Sequence, residues 1–509
     1  MREAFGNRIG SQLPGRAELQ LNTTLGERLA TPLIAENRRT HQTGAQPEPD
    51  AGLKRALKPV DLVFLGVGAI VGVGIFVLTG QAAAVYAGPA VVLSFVFAGL
   101  SCGCAALCYS EMAAMIPVSG SAYSYARAAL GETVAWIIGW DLILEYSLAS
   151  ATVSVGWSGY VLSFLTEIGI RIPARFASAP FAYGGTAAHR WMTTGALVNG
   201  PAVFIALLTT LLLVLGIRAS ARFNTLLVLI KVGVVVTFIL AGLSSIHPAN
   251  WHPFIPANTG QFGHYGWSGI FRGAAVVFVA YIGFDAVSTV AQETESPQRS
   301  IPIGIIGSLI VCTVLYVLMA AVLTGLIPYH LLNRPEPIAA GIDATKLFWL
   351  TPIVKIGAIA GLTSVILVMM VGQSRIAWTM ATDGLLPRWF ARLHPHLRTP
   401  YASTLVAGLV VALAGGLLPI DILAEMVSIG TLFAFAVVCM GVWILRHKRP
   451  ELDRPFRVRG GPVVPLVGVT SCLYLMASLP FATWLRMFVW MLIGLVIYFT
   501  YARRHSRGG

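Results

Sequence analysis

The sequence predicts an all-α polytopic membrane protein, and three observations carry that prediction. Of 509 residues, 56% are hydrophobic and only 11% charged, with a mean hydropathy of +0.75; a soluble domain carries about 25% charged residues. Twelve apolar stretches follow one another along the chain, on the scale needed to cross a hydrocarbon core of roughly 30 Å. The first and the sixth are interrupted by glycine at matching places, the pattern of an inverted repeat with one discontinuous helix in each half.

Residues 1–58 are polar and rich in Arg, Gly, Pro and Thr, with no sustained hydrophobic period. They read as a mostly disordered extension. Their basic start is not followed by an apolar core, so no cleavable signal peptide is visible and the first span must serve as the insertion signal. The apolar segments then fall at about 60–84, 89–115, 132–165, 198–217, 224–246, 268–291, 301–327, 351–380, 402–418, 421–446, 463–481 and 483–502. Residues 59–446 are expected to form a ten-helix core in a 5+5 arrangement. Residues 447–505 add two helices, and 506–509 a tail.

The net charge of +13 could point to nucleic acid, but its distribution points to topology. With the N-terminus inside, 25 of the 35 Lys and Arg fall on inside segments and eight on outside ones. Basic loops select the cytoplasmic side, so both termini are expected to be cytoplasmic in a plasma membrane, and the charge also attracts anionic lipid. No nucleic-acid partner is implied. Cys102, Cys104, Cys108, Cys312, Cys439 and Cys472 lie in apolar segments; the first three do not share one helical face and have no histidine near, so they read as small apolar fillers, with no metal and no cofactor expected.

The first span contains Gly66-Val67-Gly68-Ala69-Ile70-Val71-Gly72-Val73-Gly74. Two readings stand beside each other here. The glycines can serve close helix packing through Gly68-x-x-x-Gly72, or they can mark a broken helix, which survives in lipid only where it lines a cavity. In the sixth span, Phe278-Val279-Ala280-Tyr281-Ile282-Gly283-Phe284-Asp285 is interrupted in the same way.

Once the loop cations are placed, Lys231 and Arg375 remain within spans. Lys231 sits mid-span, with about seven apolar or weakly polar residues on each side. A charge at that depth costs a few kcal/mol or more and usually marks an ion or proton pathway; the alternative is a lysine paired permanently for structure. Arg375, nearer its span's end, reads as an interfacial anchor. Asp141 and Glu145 share a helix face. Asp141, near the start of its span, is expected to be solvated, and Glu145 to face a cavity. Glu111, just before Ile116-Pro117, reads as a helix-end or gate contact.

These segments resemble a known family. Gly68-Ala69-Ile70-Val71-Gly72-Val73-Gly74-Ile75-Phe76-Val77-Leu78-Thr79-Gly80 is similar to the first-helix signature of the amino acid–polyamine–organocation superfamily. So is Ser110-Glu111-Met112 followed by Pro117-x-Ser119-Gly120-Ser121-Ala122-Tyr123-Ser124-Tyr125. Gly139-Trp140-Asp141-Leu142-Ile143-Leu144-Glu145-Tyr146, Ala280-Tyr281-Ile282-Gly283-Phe284-Asp285 and Asp383-Gly384-Leu385-Leu386-Pro387 resemble the cationic amino acid transporter branch and its bacterial relatives. The likeness covers residues 55–505.

The resemblance implies an alternating-access amino acid permease with the leucine-transporter fold and no enzymatic domain. Amides of Val71, Gly72, Val73 and Gly74 would hold the substrate carboxylate. Carbonyls near Ile70, Val279, Ala280 and Ile282 would receive the α-ammonium. Glu145, Asp285 and Met369 would surround the side chain, and Lys231 would carry the coupling proton. Val73 stands where a threonine is common, which is tolerable if only the backbone binds; Val279 stands where a phenylalanine is often found, which implies a missing aromatic lid and a roomier pocket. The expected partners are an L-amino acid, cationic or small and neutral, and a proton. An exchanger without proton coupling and a non-transporting sensor remain alternatives. A channel would need a continuous polar lane, and a membrane enzyme clustered His, Asp or Ser; the sequence offers neither, and oligomeric state is left open.

Overall fold

The computed structural model describes residues 57–506, apart from 119, 185–189, 216, 292–293, 335, 346, 348 and 395–398, and apart from the side chains of 183–190 and 215–224. The expected N-terminal extension, except its last two residues, therefore lies outside the described residues, as do 507–509 of the tail and the motif residue Ser119.

Helix dominates, and each of the twelve apolar segments coincides with it. In order these are α1 (Pro59–Ile70), α2 (Val91–Met115), α3 (Ser121–Leu130), α4 (Glu132–Glu167), α5 (Gly200–Leu215), α6 (Ile217–Leu243) and α7 (Gly266–Val277). There follow α8 (Pro297–Leu326), α9 (Pro337–Ala344), α10 (Leu350–Thr382), α11 (Tyr401–Leu417), α12 (Ile420–Lys448), α13 (Val463–Ala477) and α14 (Phe481–Ile497). Among the described residues, eight helical stretches are long and apolar enough to cross a bilayer, and α1, α5, α11 and α13 are shorter apolar helices. Leu211, Leu240, Leu409 and Phe488 are exposed on the outside, as lipid-facing helices require.

The first segment is broken. Pro at the first position and the Lys58 amide, donating to Asp61 Oδ2 at 2.9 Å, start α1. It stops at Ile70, and Val71 is extended, with φ −72° and ψ 96°. Two glycines alternating with two β-branched valines make the next four residues a poor helix. Helix resumes as a wide turn at Gly74–Leu78, where the Thr79 hydroxyl donates to Gly74 O at 3.0 Å, and runs on through Ala87.

The sixth segment breaks in its own way. After α7 the chain tightens into the 3-10 turn Phe278–Tyr281, and Ile282 is extended at φ −63° and ψ 137°. Gly283 follows at φ +115°, a conformation that favours glycine. A Cβ there would sit 2.8 Å from both Ala69 Cβ and Met369 Cε. One helical turn, Ala286–Thr289, completes the segment.

The two breaks meet. A Cβ on Gly74 would come within 2.2 Å of Ala280 Cα, so the glycine is what lets the backbones touch. α4 and α10 pack along one another beside them. The sequence-stretch glycines thus serve both readings: Gly72 packs on Val365, and Gly66 on Ser308, in a helix that is nonetheless interrupted.

Two expectations are corrected, while the helix-end contact expected of Glu111 is found. The chain is not wholly α: β1 (Phe181–Gly184) and β2 (Arg190–Thr193) pair antiparallel, with Phe181 opposite Thr193. Phe181, Tyr183, Trp191 and Thr193, half of the paired residues, are of the aromatic and β-branched kinds that strands prefer. Asp141 is not solvated but fully buried, its Oδ1 close against Gly430 of α12. Glu111, also buried, is gripped by Arg446 of α12 through two hydrogen bonds of 2.9 and 2.5 Å, and by the Val458 amide at 2.8 Å. That bidentate pairing ties the end of α2 to α12 and to the chain beyond it. All six cysteines are free.

Gly74→Ala is expected to force the broken segments apart at a cost of roughly 1–3 kcal/mol. Unfolding in detergent measures this against Gly233→Ala, whose added Cβ meets nothing within 4 Å and gains up to about 1 kcal/mol from helix propensity.

Candidate functional site

Between the two breaks and the α4–α10 pair lies a small enclosed cavity. Ile70, Gly72, Val73 and Gly74 line it from the first segment, Val279 and Ile282 from the sixth, and Met369 from α10. Ala69, Ala149, Val153 and Val365 complete the wall. The space open to a water's centre is about 20 Å³, enough for about one water. The roomier pocket expected from Val279 is therefore not found; Val73, Val153, Val365 and Met369 close in on the space instead.

The backbone at the first break is the cavity's main polar feature. Ile75 and Phe76 both donate to Gly72 O at 3.2 Å, and Val71 to Val67 O at 3.0 Å. The amides of Gly72, Val73 and Gly74 have no backbone acceptor. N–H groups without an acceptor at the start of a helical segment are the kind of donor set that suits an anion.

The carbonyls on the other side of the breaks are held by side chains. Lys231 of α6 is fully buried. Its Nζ donates to Gly68 O at 2.5 Å, to Val71 O at 2.9 Å and to Ser364 Oγ at 2.9 Å. Three acceptors around one nitrogen fit an ammonium, which has three N–H donors and no lone pair. Among the described residues no carboxylate pairs with it. Tyr316 of α8 places its hydroxyl 2.7 Å from Ile70 O and 2.8 Å from Ala280 O, so one donor serves both breaks. Tyr160 of α4 donates to Phe76 O at 2.8 Å.

Most of the sequence-derived site residues converge here. Val71 and Ala280 contribute their carbonyls to Lys231 and Tyr316 and do not line the cavity. Glu145 and Asp285 lie outside the lining too. Asp285 is buried and accepts from the Tyr146 hydroxyl; Glu145 is fully buried beside Thr431 of α12.

Sequence reasoning passed over Ala149, Val153, Val365, Ser364 and Tyr316. Ala149 and Val153 follow Glu145 at four-residue steps, and Val365 precedes Met369 by one turn, so helical spacing from the chosen residues would have reached them. Tyr316, a polar tip in the middle of an apolar span, was a signal in itself.

A model of the amino acid permease family matches residues 57–509. The chain belongs to that family. The permease is 47% identical over 459 residues to a branched-chain amino acid permease of Bacillus subtilis, covering 90% of this chain and 95% of that one. It is 43% identical over 454 residues to a methylthioribose transporter of the same organism, covering 89% and 95%. To the vacuolar cationic amino acid transporter 4 of Arabidopsis thaliana it is 35% identical over 400 residues, covering 78% and 64%. These relatives are transporters and permeases by name, which makes the permease a membrane transport protein and not an enzyme. The family resemblance read from the motifs agrees.

Tyr316→Phe leaves two buried carbonyls without their donor. Its expected cost is about 1–3 kcal/mol, read from unfolding in detergent, with faster amide exchange confined to residues 70–74 and 278–283.

Proposed function

We propose that the permease carries neutral aliphatic L-amino acids across the plasma membrane by proton-coupled alternating access, with both termini cytoplasmic. The observation that carries this reading is the set of unpaired amides at Gly72, Val73 and Gly74 opening into a cavity whose walls are otherwise apolar. Those amides take the substrate carboxylate. The carbonyls of Ile70, Val279 and Ile282, all of them cavity-lining residues, take its α-ammonium through lone pairs left over from their internal bonds. The side chain then packs among Val73, Ala149, Val153, Val365 and Met369, surfaces suited to leucine, isoleucine or valine. The 47% identity to a branched-chain amino acid permease supports the same substrate class.

A cationic substrate is disfavoured by where the carboxylates lie. Asp285 is engaged by Tyr146, and Glu145 stands one turn beyond the cavity against α12. The twelve apolar segments serve as twelve spans, 59–446 as the 5+5 inverted-repeat core and α13 with α14 as additions to it.

Coupling follows from the donor count at Lys231. The ammonium binds the end of α1, through Gly68 and Val71, to Ser364 on α10. A neutral amine has two N–H donors for the same three acceptors, and its lone pair would face an oxygen. Losing the proton therefore loosens the inner half of the first span from α10 and opens the cavity inward. The cavity must widen to admit an amino acid at all, so a tie that releases on deprotonation links the two events.

In proteoliposomes, labelled leucine is expected to accumulate when the lumen is more alkaline than the bath. Lys231→Met should lower that initial rate by roughly tenfold or more, about 1.4 kcal/mol in the barrier. Wild-type uptake indifferent to the gradient, or gradient-driven uptake surviving in Lys231→Met, rules out the coupling. Isoleucine and valine should compete with leucine while arginine and lysine do not; effective competition by arginine returns Glu145 and Asp285 to the substrate site.

A further inference from the structure

The connection from α4 to α5, residues 168–199, stands out in charge. It holds Arg171, Arg175, His189 and Arg190, and not one Asp or Glu. Of the eight Lys and Arg on outside segments, three lie in this one connection. Topology does not account for them, because basic residues select the opposite side. Arg171 and Arg175 are both exposed, and their own segment offers no carboxylate to neutralise them.

The same connection carries large apolar side chains in the open. Ile168, Ile170 and Phe176 are exposed on the way to the hairpin, where the Phe181 and Trp191 rings meet edge to face with their centroids 6.0 Å apart. Trp191 is 53% exposed, Met192 54%, and Leu197, beyond the hairpin, 61%. Rings and guanidinium groups without carboxylates are the composition of a segment at headgroup level, where aromatic side chains take the edge of the hydrocarbon and cations the anionic lipid.

The adjoining helices put the connection at that depth. α5 has 16 residues and α11 has 17, about 24–26 Å at 1.5 Å per residue, against a hydrocarbon core of roughly 30 Å. The Asn199 amide, at the start of α5, donates to Gly416 O in the last turn of α11 at 2.9 Å, and the Leu197 amide to Arg175 O at 2.7 Å. The connection is thus fastened where both short helices end. The exposed apolar face of α5, with Phe204, Leu207 and Leu211, continues past the helix start to exposed Leu197.

We propose that residues 168–199 bind the bilayer surface, with Phe176, Phe181 and Trp191 at the edge of the hydrocarbon and Arg171 and Arg175 on the phosphates of anionic phospholipid. A guanidinium forks onto a phosphate through paired N–H groups. The leaflet is the outer one by the proposed orientation; the contact itself depends neither on that orientation nor on the transported substrate.

Two measurements on the full-length protein test this. In nanodiscs, the fluorescence lost in Trp191→Phe isolates one of the 12 tryptophans. That component should be quenched by phosphatidylcholine brominated close to the headgroup and spared by iodide in the water; the reverse pattern overturns the seating. In detergent, phosphatidylglycerol should raise the unfolding temperature more than phosphatidylcholine does. Arg171→Gln combined with Arg175→Gln should weaken the apparent affinity for phosphatidylglycerol by roughly thirtyfold, the loss expected of two cations at a lipid surface. Arg171→Lys combined with Arg175→Lys should keep most of that affinity. A stabilisation matched by phosphatidylcholine or by soluble glycerol phosphate, or undiminished in the Gln variant, overturns the headgroup contact. Without lipid, both variants should unfold at the wild-type temperature; an earlier transition in the Lys variant means that the arginines hold the protein together instead, and also overturns it.

Discussion

Peptide groups buried away from water must find partners, and that requirement organises this molecule. Interrupting two helices in an apolar interior releases several carbonyls and amides at once. An unpaired buried polar group costs about 1–3 kcal/mol, so the breaks persist only because other elements attend to them. Lys231 reaches in from α6 to Gly68 O and Val71 O, Tyr316 from α8 to Ile70 O and Ala280 O, and Tyr160 from α4 to Phe76 O. The amides of Gly72, Val73 and Gly74 are left over. The division is uneven: the carbonyl side is tied to the surrounding helices, and the amide side faces the cavity.

That arrangement explains why so few charges surround the site. Backbone dipoles supply the polarity, and the remaining wall is free to be apolar. The glycines make the geometry feasible, because Gly74 and Ala280 touch through backbone where any side chain would separate them. Ion pairs are placed at the ends of helices instead. Glu111 with Arg446, Arg127 with Asp383 and Lys355 with Glu167 each join segments distant in sequence. A buried pair of this kind is modest evidence for stability, since desolvation offsets much of its attraction; its value here is in fixing which helix ends meet.

How much of this could be read beforehand differs by residue. The breaks at 71–74 and 278–283 were legible because glycine and β-branched residues oppose helix whatever surrounds them. Lys231 was legible because a cation inside an apolar span stands out against its neighbours. Ala149, Val153 and Val365 were not: a helix apolar on all sides shows no periodic face, so its sequence does not say which residues meet a cavity and which meet another helix. Asp141 was misplaced for a related reason. Distance from the end of a span does not report what packs over it, and α12 covers it completely. The hairpin β1–β2 lies where the apolar pattern is silent.

Composition and order along the chain determined the class of molecule, the places where helix fails, and the presence of a cation in the middle of an apolar span. These are properties of short stretches, set by local propensity and by the cost of placing polar groups in lipid. Only the tertiary structure decided that the two breaks touch, that Tyr316 serves both, that Ser364 completes the lysine's partners, and that Glu145 and Asp285 stand back from the cavity. Such facts depend on which faces of distant helices are pressed together, and packing of apolar surfaces on one another leaves no mark in a sequence that is apolar throughout.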